Sequence, residues 1–305
     1  MPFGEGKIWF DGKFVDWKDA KTHVLVHALH YGTMAFEGLR CYNTKQGPAV
    51  FRLHEHVRRL YDSCKIYRIQ PEVSLEDFTK ALLETIRINE LQDCYIRPFF
   101  FRGYHSLGVN PLNCPVHGVI AAWEWGAYLG EEAMEKGASV CVSSWTRQAP
   151  NTFPTMAKTA ANYMNSQLIK MEALADGYDE GIALNVDGLV SECSGENIFM
   201  VRDGVIFTPP VDASILPGIT RNCVYKIAED LNIPIKSHNI PREALYVADE
   251  IFLSGTAAEI TPVSKVDKLS IGSGKRGPIT TAIQKRFFDI IKGETEDKHQ
   301  WLTFV

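Results

Sequence analysis

The chain has 305 residues, of which 45% are hydrophobic and 23% charged. That is the composition of a folded globular protein, long enough for one large domain or two ordinary ones, and it excludes a disordered chain. A net charge of -5, from 32 basic and 37 acidic residues with no long run of either sign, argues against a nucleic-acid surface and a basic membrane patch.

No apolar run approaches the roughly 20 residues that cross a bilayer, so no membrane partner is expected. Residues 1–12 lack the basic-then-apolar layout of a secretory signal. The cysteines (Cys41, Cys64, Cys94, Cys114, Cys141, Cys193 and Cys223) are widely spaced and form no Cys-x-x-Cys pair. Buried free thiols in a reducing cytoplasm are expected.

The first elements read as strand, turn and strand: residues 7–10, the Asp11-Gly12 turn, then Phe14 and Val15. The run Thr22 to Val26 favours a strand that Gly32 breaks. Helical spacing of Val57, Leu60, Tyr61, Cys64 and Tyr67 predicts a helix over 54–68. A second is predicted over 74–89, with Ser74 and Asp77 as a capping box and Phe78, Leu82 and Ile86 on one face. Strands are expected over 95–101 and 116–123. Gly126, Gly130 and the acidic cluster Glu131, Glu132 and Glu135 then mark a change of character. This predicts a domain over 1–125, a linker over 126–136 and a second domain over 137–305. In the second, short strands are predicted over 182–186, 189–192, 197–201 and 205–208, with turns at Asp187-Gly188 and Asp203-Gly204. Helices are expected over 221–231 and 279–291. Without regular β-α-β alternation, two α+β domains result.

Two apparent motifs fail on context. Gly272-Ser273-Gly274-Lys275-Arg276-Gly277 fits a dinucleotide fingerprint, but too little chain follows for the rest of that unit. His23, His27 and His30 lack a carboxylate or cysteine at ligand spacing, so no metal is expected. No Gly-x-Ser-x-Gly element points to a serine hydrolase.

Four separated segments occur together. Lys158 stands among small neighbours, Ala157, Thr159, Ala160 and Ala161, which leave room for a bulky group; a lysine drawn out of water is more easily held as the nucleophilic neutral amine. Downstream come Ser191-Glu192-Cys193-Ser194-Gly195-Glu196-Asn197-Ile198-Phe199, then Leu216-Pro217-Gly218-Ile219-Thr220-Arg221 opening a helix. The last is Ser254-Gly255-Thr256-Ala257-Ala258-Glu259-Ile260-Thr261-Pro262. Over nearly its whole length, the chain resembles the class IV aminotransferases, which use pyridoxal 5'-phosphate. The resemblance implies a small α+β domain and a larger pseudo-barrel domain, with the cofactor between them.

The family's roles are carried over by this resemblance. Lys158 is the lysine that bonds the cofactor and moves a proton at the substrate Cα. Glu192 pairs with the ring nitrogen and Tyr163 with the phenolic oxygen. Arg59, Ile219, Thr220 and Thr256 hold the phosphate, and a Pro-Gly turn into a helix suits an anion because free backbone donors point at it.

His30-Tyr31-Gly32-Thr33-Met34-Ala35-Phe36-Glu37-Gly38-Leu39-Arg40 and Tyr95-Ile96-Arg97-Pro98 resemble the branched-chain type within the family. Tyr95 and Arg97, two apart on a strand, face the same side. The resemblance makes Tyr95, with backbone donors at Thr256 and Ala257, the site for the substrate α-carboxylate. It gives Phe36, Tyr31 and Val109 an apolar pocket bordered by Gly38, which Tyr128 reaches from a neighbouring subunit, and it gives Arg97 the second carboxylate of glutamate. The implied reaction is reversible transamination between L-leucine, L-isoleucine or L-valine and 2-oxoglutarate, in a homodimer or a hexamer built from dimers. A D-amino acid or related amine transaminase of the same fold is the alternative, and a class IV lyase or a non-enzymatic binding protein on this fold stands further off.

Overall fold

The computed structural model describes residues 3–126 and 130–305. The chain divides into two compact units. The first comprises Met1–Trp125, Ala157–Ala161 and Ile290–Val305; the second comprises Gly126–Met156 and Asn162–Asp289.

In the first unit the strands are β1 (Lys7–Phe10), β2 (Lys13–Asp16), β3 (Met34–Phe36), β4 (Leu39–Thr44), β5 (Gly47–Phe51), β6 (Cys94–Arg102) and β7 (Val116–Trp123). With the late strand Leu302–Phe304 on the edge of β5, they form one sheet, in which β3 joins β6 off the main path. Its helices are α1 (His27–Tyr31), α2 (Leu53–Ile66) and α3 (Leu75–Ile88).

Alternation along the strands sorts their side chains. Trp9, Phe100 and Ile120 join the core that includes Val57, Leu60, Phe78 and Leu82 of α2 and α3, while Ile8, Phe101 and Val119 join a second cluster. Both faces of this sheet are therefore covered. At the head of α3 the Asp77 N–H donates to Ser74 Oγ at 3.1 Å, the capping contact that the sequence predicts.

The second unit carries β8 (Ala138–Val142), β9 (Glu180–Leu184), β10 (Val190–Cys193), β11 (Asn197–Arg202), β12 (Val205–Thr208), β13 (Ile235–Ser237), β14 (Glu250–Gly255), β15 (Glu259–Val266) and β16 (Leu269–Ser270). They form a second sheet in the order β10-β9-β8-β15-β14-β11-β12-β13, with β16 on β15. The helices are α4 (Glu131–Lys136), α5 (Tyr163–Ala175), α6 (Ile219–Asp230) and α7 (Pro278–Ile291).

Three expectations change. Thr22 to Val26 is not a strand: Leu25 N–H donates to His23 Nδ1 and Val26 N–H to the His23 carbonyl, so the chain turns into α1 despite its β-branched residues. Much of the expected linker is ordered against the second unit, where Thr261 Oγ1 donates to Met134 Sδ and Gln284 Nε2 donates to the Met134 carbonyl. The last sixteen residues, 290–305, group with the first unit, because Leu302–Phe304 supplies backbone partners to β5.

Candidate active site

Each unit brings part of the expected residue set together. In the first, the segment carrying Lys158 lies against β3. Phe36 N–H donates to the Lys158 carbonyl at 3.0 Å, Lys158 N–H donates to Ser63 Oγ at 3.0 Å, and Ala35 and Thr159 form an isolated bridge. Small residues are needed here: a Cβ on Gly32, at φ +64°, would press on the backbone of Ala161.

Lys158 Nζ stands 5.0 Å from the centre of the Phe36 ring, and the Arg97 guanidinium stands 4.7 Å from the same centre. Arg97 Nη2 donates to Tyr95 Oη at 2.8 Å, as two residues on one strand face allow. Among the described residues, the buried Arg97 Nε has no hydrogen-bond partner, a donor left for something that enters from outside. Gly38 lies under Tyr95, where any Cβ would collide with the phenol oxygen.

One turn of α2 places His56 and Arg59 over Glu37, which is fully buried. Arg59 grips the carboxylate with two bonds, Nε to Oε1 at 2.5 Å and Nη2 to Oε2 at 3.0 Å. His56 Nδ1 is 2.7 Å from Oε2. Burial favours the neutral acid, but the Arg59 and His56 contacts outweigh it and hold the Glu37 carboxyl well below the ordinary carboxylate range. Burial pushes His56 the other way, below its usual value, against the pull of Glu37.

In the second unit, Glu192 lies next to the last residue of β10, nearly buried. Its Oε1 lies 3.2 Å from Arg147 Nη2, while Oε2 accepts from Asn197 Nδ2 at 3.1 Å and from Leu216 N–H at 3.0 Å. Arg147 is itself buried and fixed by Asn165, Ser166 and the carbonyls of Cys193 and Ser194. Beside it lies a second acidic centre. Glu180 takes Lys170 Nζ at 3.0 Å and the Gly181 and Ser194 N–H groups. Glu196 is pushed up to about 8 by burial and then by the Glu180 charge.

Gly218 precedes helix α6 as a cap with no side chain, and a Cβ there would strike Asn197 Oδ1. Ile219 and Thr220 are buried in its first turn, where backbone donors have no intrahelical acceptor. Thr256 and Ala257 sit in the three-residue turn between β14 and β15, and Tyr163 opens α5.

Val109 does not line a pocket with Phe36 and Tyr31 within this single chain. It is 83% exposed, and the Tyr31 hydroxyl donates to the Leu107 carbonyl at 2.6 Å. Tyr128 lies outside the described residues.

The rejected motifs acquire structural reasons. His27 contacts Thr33 Oγ1 and the Gly108 carbonyl. Residues 272–277 do lead into α7, but the Glu250 carboxylate already takes the Ile279 and Thr280 N–H groups. All seven cysteines are buried and free, and no described helix is long and apolar enough to cross a membrane. Sequence reasoning missed Arg147 and the partnership of Glu37 with His56, because pairings between distant residues leave no local pattern.

The family model for Amino-transferase class IV matches residues 34–266. A branched-chain-amino-acid aminotransferase of Escherichia coli (strain K12) is 53% identical over 98% of this chain and 97% of its own length. One from Pseudomonas aeruginosa is 46% identical over 99% and 98%. The crystal structure of the Escherichia coli branched-chain amino acid aminotransferase superposes with a TM-score of 0.96, at 53% identity and 98% coverage of both chains. A branched-chain amino acid aminotransferase from Thermobaculum terrenum, solved in its PLP form, gives 0.91 at 32% identity, again covering 98% of each chain. With the family matched across both units and relatives aligned nearly end to end, this chain belongs to the class IV aminotransferases.

Proposed function

We propose that this chain catalyses the reversible exchange of an amino group between branched-chain L-amino acids (leucine, isoleucine or valine) and 2-oxoglutarate. The products are the branched-chain 2-oxo acids and L-glutamate. The observation that carries this reading is the pairing of Phe36 with Arg97. An apolar ring and a buried guanidinium donor without a partner among the described residues stand side by side, so one place can meet leucine's branch and glutamate's second carboxylate. An apolar pocket alone would reject that carboxylate, since burying an unpaired charge is strongly unfavourable.

The residues fit pyridoxal 5'-phosphate: a lysine among small neighbours, a nearly buried carboxylate braced by a guanidinium, and an uncapped helix start behind a glycine. When bound, this cofactor supplies an aldehyde that bonds amines and a protonated ring that withdraws electrons from Cα. Lys158 moves the proton on and off Cα. Glu192 holds the proton at the ring nitrogen, and Tyr163 donates to the phenolic oxygen. Arg59, Ile219, Thr220 and Thr256 bind the phosphate. Tyr95, with the Thr256 and Ala257 N–H groups, orients the substrate α-carboxylate, with Gly38 leaving room for Tyr95.

We also read the assembly as a homodimer, or a hexamer built from dimers, in the cytoplasm. Met164, Leu168, Met171 and Leu174 form an exposed apolar stripe along α5, which supports burial against another copy. Seven buried free thiols support a reducing compartment.

The test is a panel of half-reactions, in which single L- or D-amino acids are added and the cofactor spectrum is followed to its amine form. L-leucine, L-isoleucine, L-valine and L-glutamate should all convert it; conversion by D-amino acids alone would refute the reading. In Arg97→Leu, glutamate and 2-oxoglutarate should lose at least about tenfold while leucine keeps its rate. Equal losses for both substrate classes would leave Arg97 a structural residue.

A further inference from the structure

Glu37 stands between two residues already placed at the site, Phe36 and Gly38, yet its own side chain turns away into α2. Four donors converge on the carboxylate: Arg59 Nε and Nη2, His56 Nδ1, and the Gly38 N–H at 3.3 Å. Glu37 and His56 are essentially inaccessible, and the Arg59 side chain is 14% exposed. A surface ion pair would need no such enclosure.

The arrangement fixes direction more than it adds charge. A guanidinium on a free side chain has rotamer entropy that must be lost when it meets a ligand. Two parallel bonds to one carboxylate fix the plane of the guanidinium before any ligand arrives, and preorganisation of this kind raises affinity by lowering the cost of ordering. With His56 held neutral by burial, the cluster carries one negative and one positive charge. A site built only to attract an anion would not place a carboxylate against its cation. Glu37 also ties this cluster to the lysine segment, since its N–H donates to the Pro98 carbonyl and the preceding N–H, that of Phe36, donates to the Lys158 carbonyl.

We propose that Glu37 and His56 are positioning residues that aim the Arg59 guanidinium at the cofactor phosphate. The proposal rests on the reading above that Arg59 meets that phosphate.

The experiment uses the full chain freed of cofactor and measures dissociation constants for two ligands by absorbance titration. One is pyridoxal 5'-phosphate; the other is pyridoxal, which lacks the phosphate. For Glu37→Gln the first constant should rise about tenfold or more while the second stays within about twofold. His56→Gln, which leaves the two-bond grip intact, should show the same selectivity at about threefold. Equal weakening of both ligands would make Glu37 a merely structural residue and overturn the proposal. So would an unchanged pyridoxal 5'-phosphate constant in Glu37→Gln where Arg59→Ala weakens it. If Arg59→Ala itself leaves the ratio of the two constants unchanged, the phosphate reading of Arg59 falls, and the proposal with it. Should Glu37→Gln fail to fold, Glu37→Asp keeps the charge but shortens the reach, and the same selective loss is expected.

Discussion

Glu37 in the first unit and Glu196 in the second are both buried carboxyls, and they end in opposite charge states. Glu37 meets a guanidinium by two bonds and an imidazole, so its charge survives the loss of water. Glu196 accepts from the Gly195 N–H, while Lys170 is bonded to Glu180. Burial and the Glu180 charge then keep a proton on it to about pH 8. Depth decides little here. What decides is the supply of donors per carboxylate: Glu37 has a guanidinium and a neutral imidazole to itself, whereas the second unit shares Lys170 between two acids.

The comparison is broken most strongly at Arg147, the buried guanidinium 3.2 Å from Glu192 beside that acidic centre. Arg147→Ala should cost about 3–5 kcal/mol of stability in denaturant unfolding, because it leaves a nearly buried carboxylate without its cation. A loss below that of an ordinary surface substitution would mean that the two units do not differ in the way described.

Next in size is Glu196→Gln, which replaces a proton-bearing acid by a neutral isostere. The folded-state value lies above the ordinary 4.5, so the wild-type contribution is fully present below that value and fades as pH rises to about 8. The variant should therefore match wild type near pH 5 and exceed it near pH 9, by on the order of a few kcal/mol. Unfolding measured at both pH values checks this; a parallel pair of curves would put the proton elsewhere.

The smallest effect belongs to Lys170→Met, since that lysine is partly exposed. It should cost about 1–3 kcal/mol through the charged bond to Glu180. It should also move the fading of the Glu196 contribution to higher pH, as the acids lose their shared cation. A change in stability without that movement would separate Lys170 from Glu196.

What the sequence exposed follows the same physics. Ser74 at the head of α3, and Tyr95 with Arg97 on β6, are set by spacings of two or three residues, and these can be read directly. The segments around Lys158, Glu192, Gly218 and Thr256 are legible as motifs. The buried polar pairings are not: Glu37 meets His56 across 19 positions of chain, and Arg147 meets Glu192 from a different part of the chain. Helix α5 escaped periodicity because its apolar residues lie on several sides, Ile169 and Ala173 buried and Met164 and Met171 exposed. The run Thr22 to Val26 misled because β propensity is weak against local turn bonds, here those to His23. Val109 carries an apolar signature that a single chain leaves in solvent.

The strand Leu302–Phe304 closes the edge of β5, and Trp301 packs on Phe51 beside it. Translation delivers these residues after the whole of the second unit. A nascent chain must therefore hold the first sheet with β5 as an open edge while the second unit is already emerging. Ala49, Val50 and Phe51 would present unpaired backbone during that interval, the kind of edge that recruits foreign strands. Yield during synthesis, more than equilibrium stability, should be where damage to the last strand is felt.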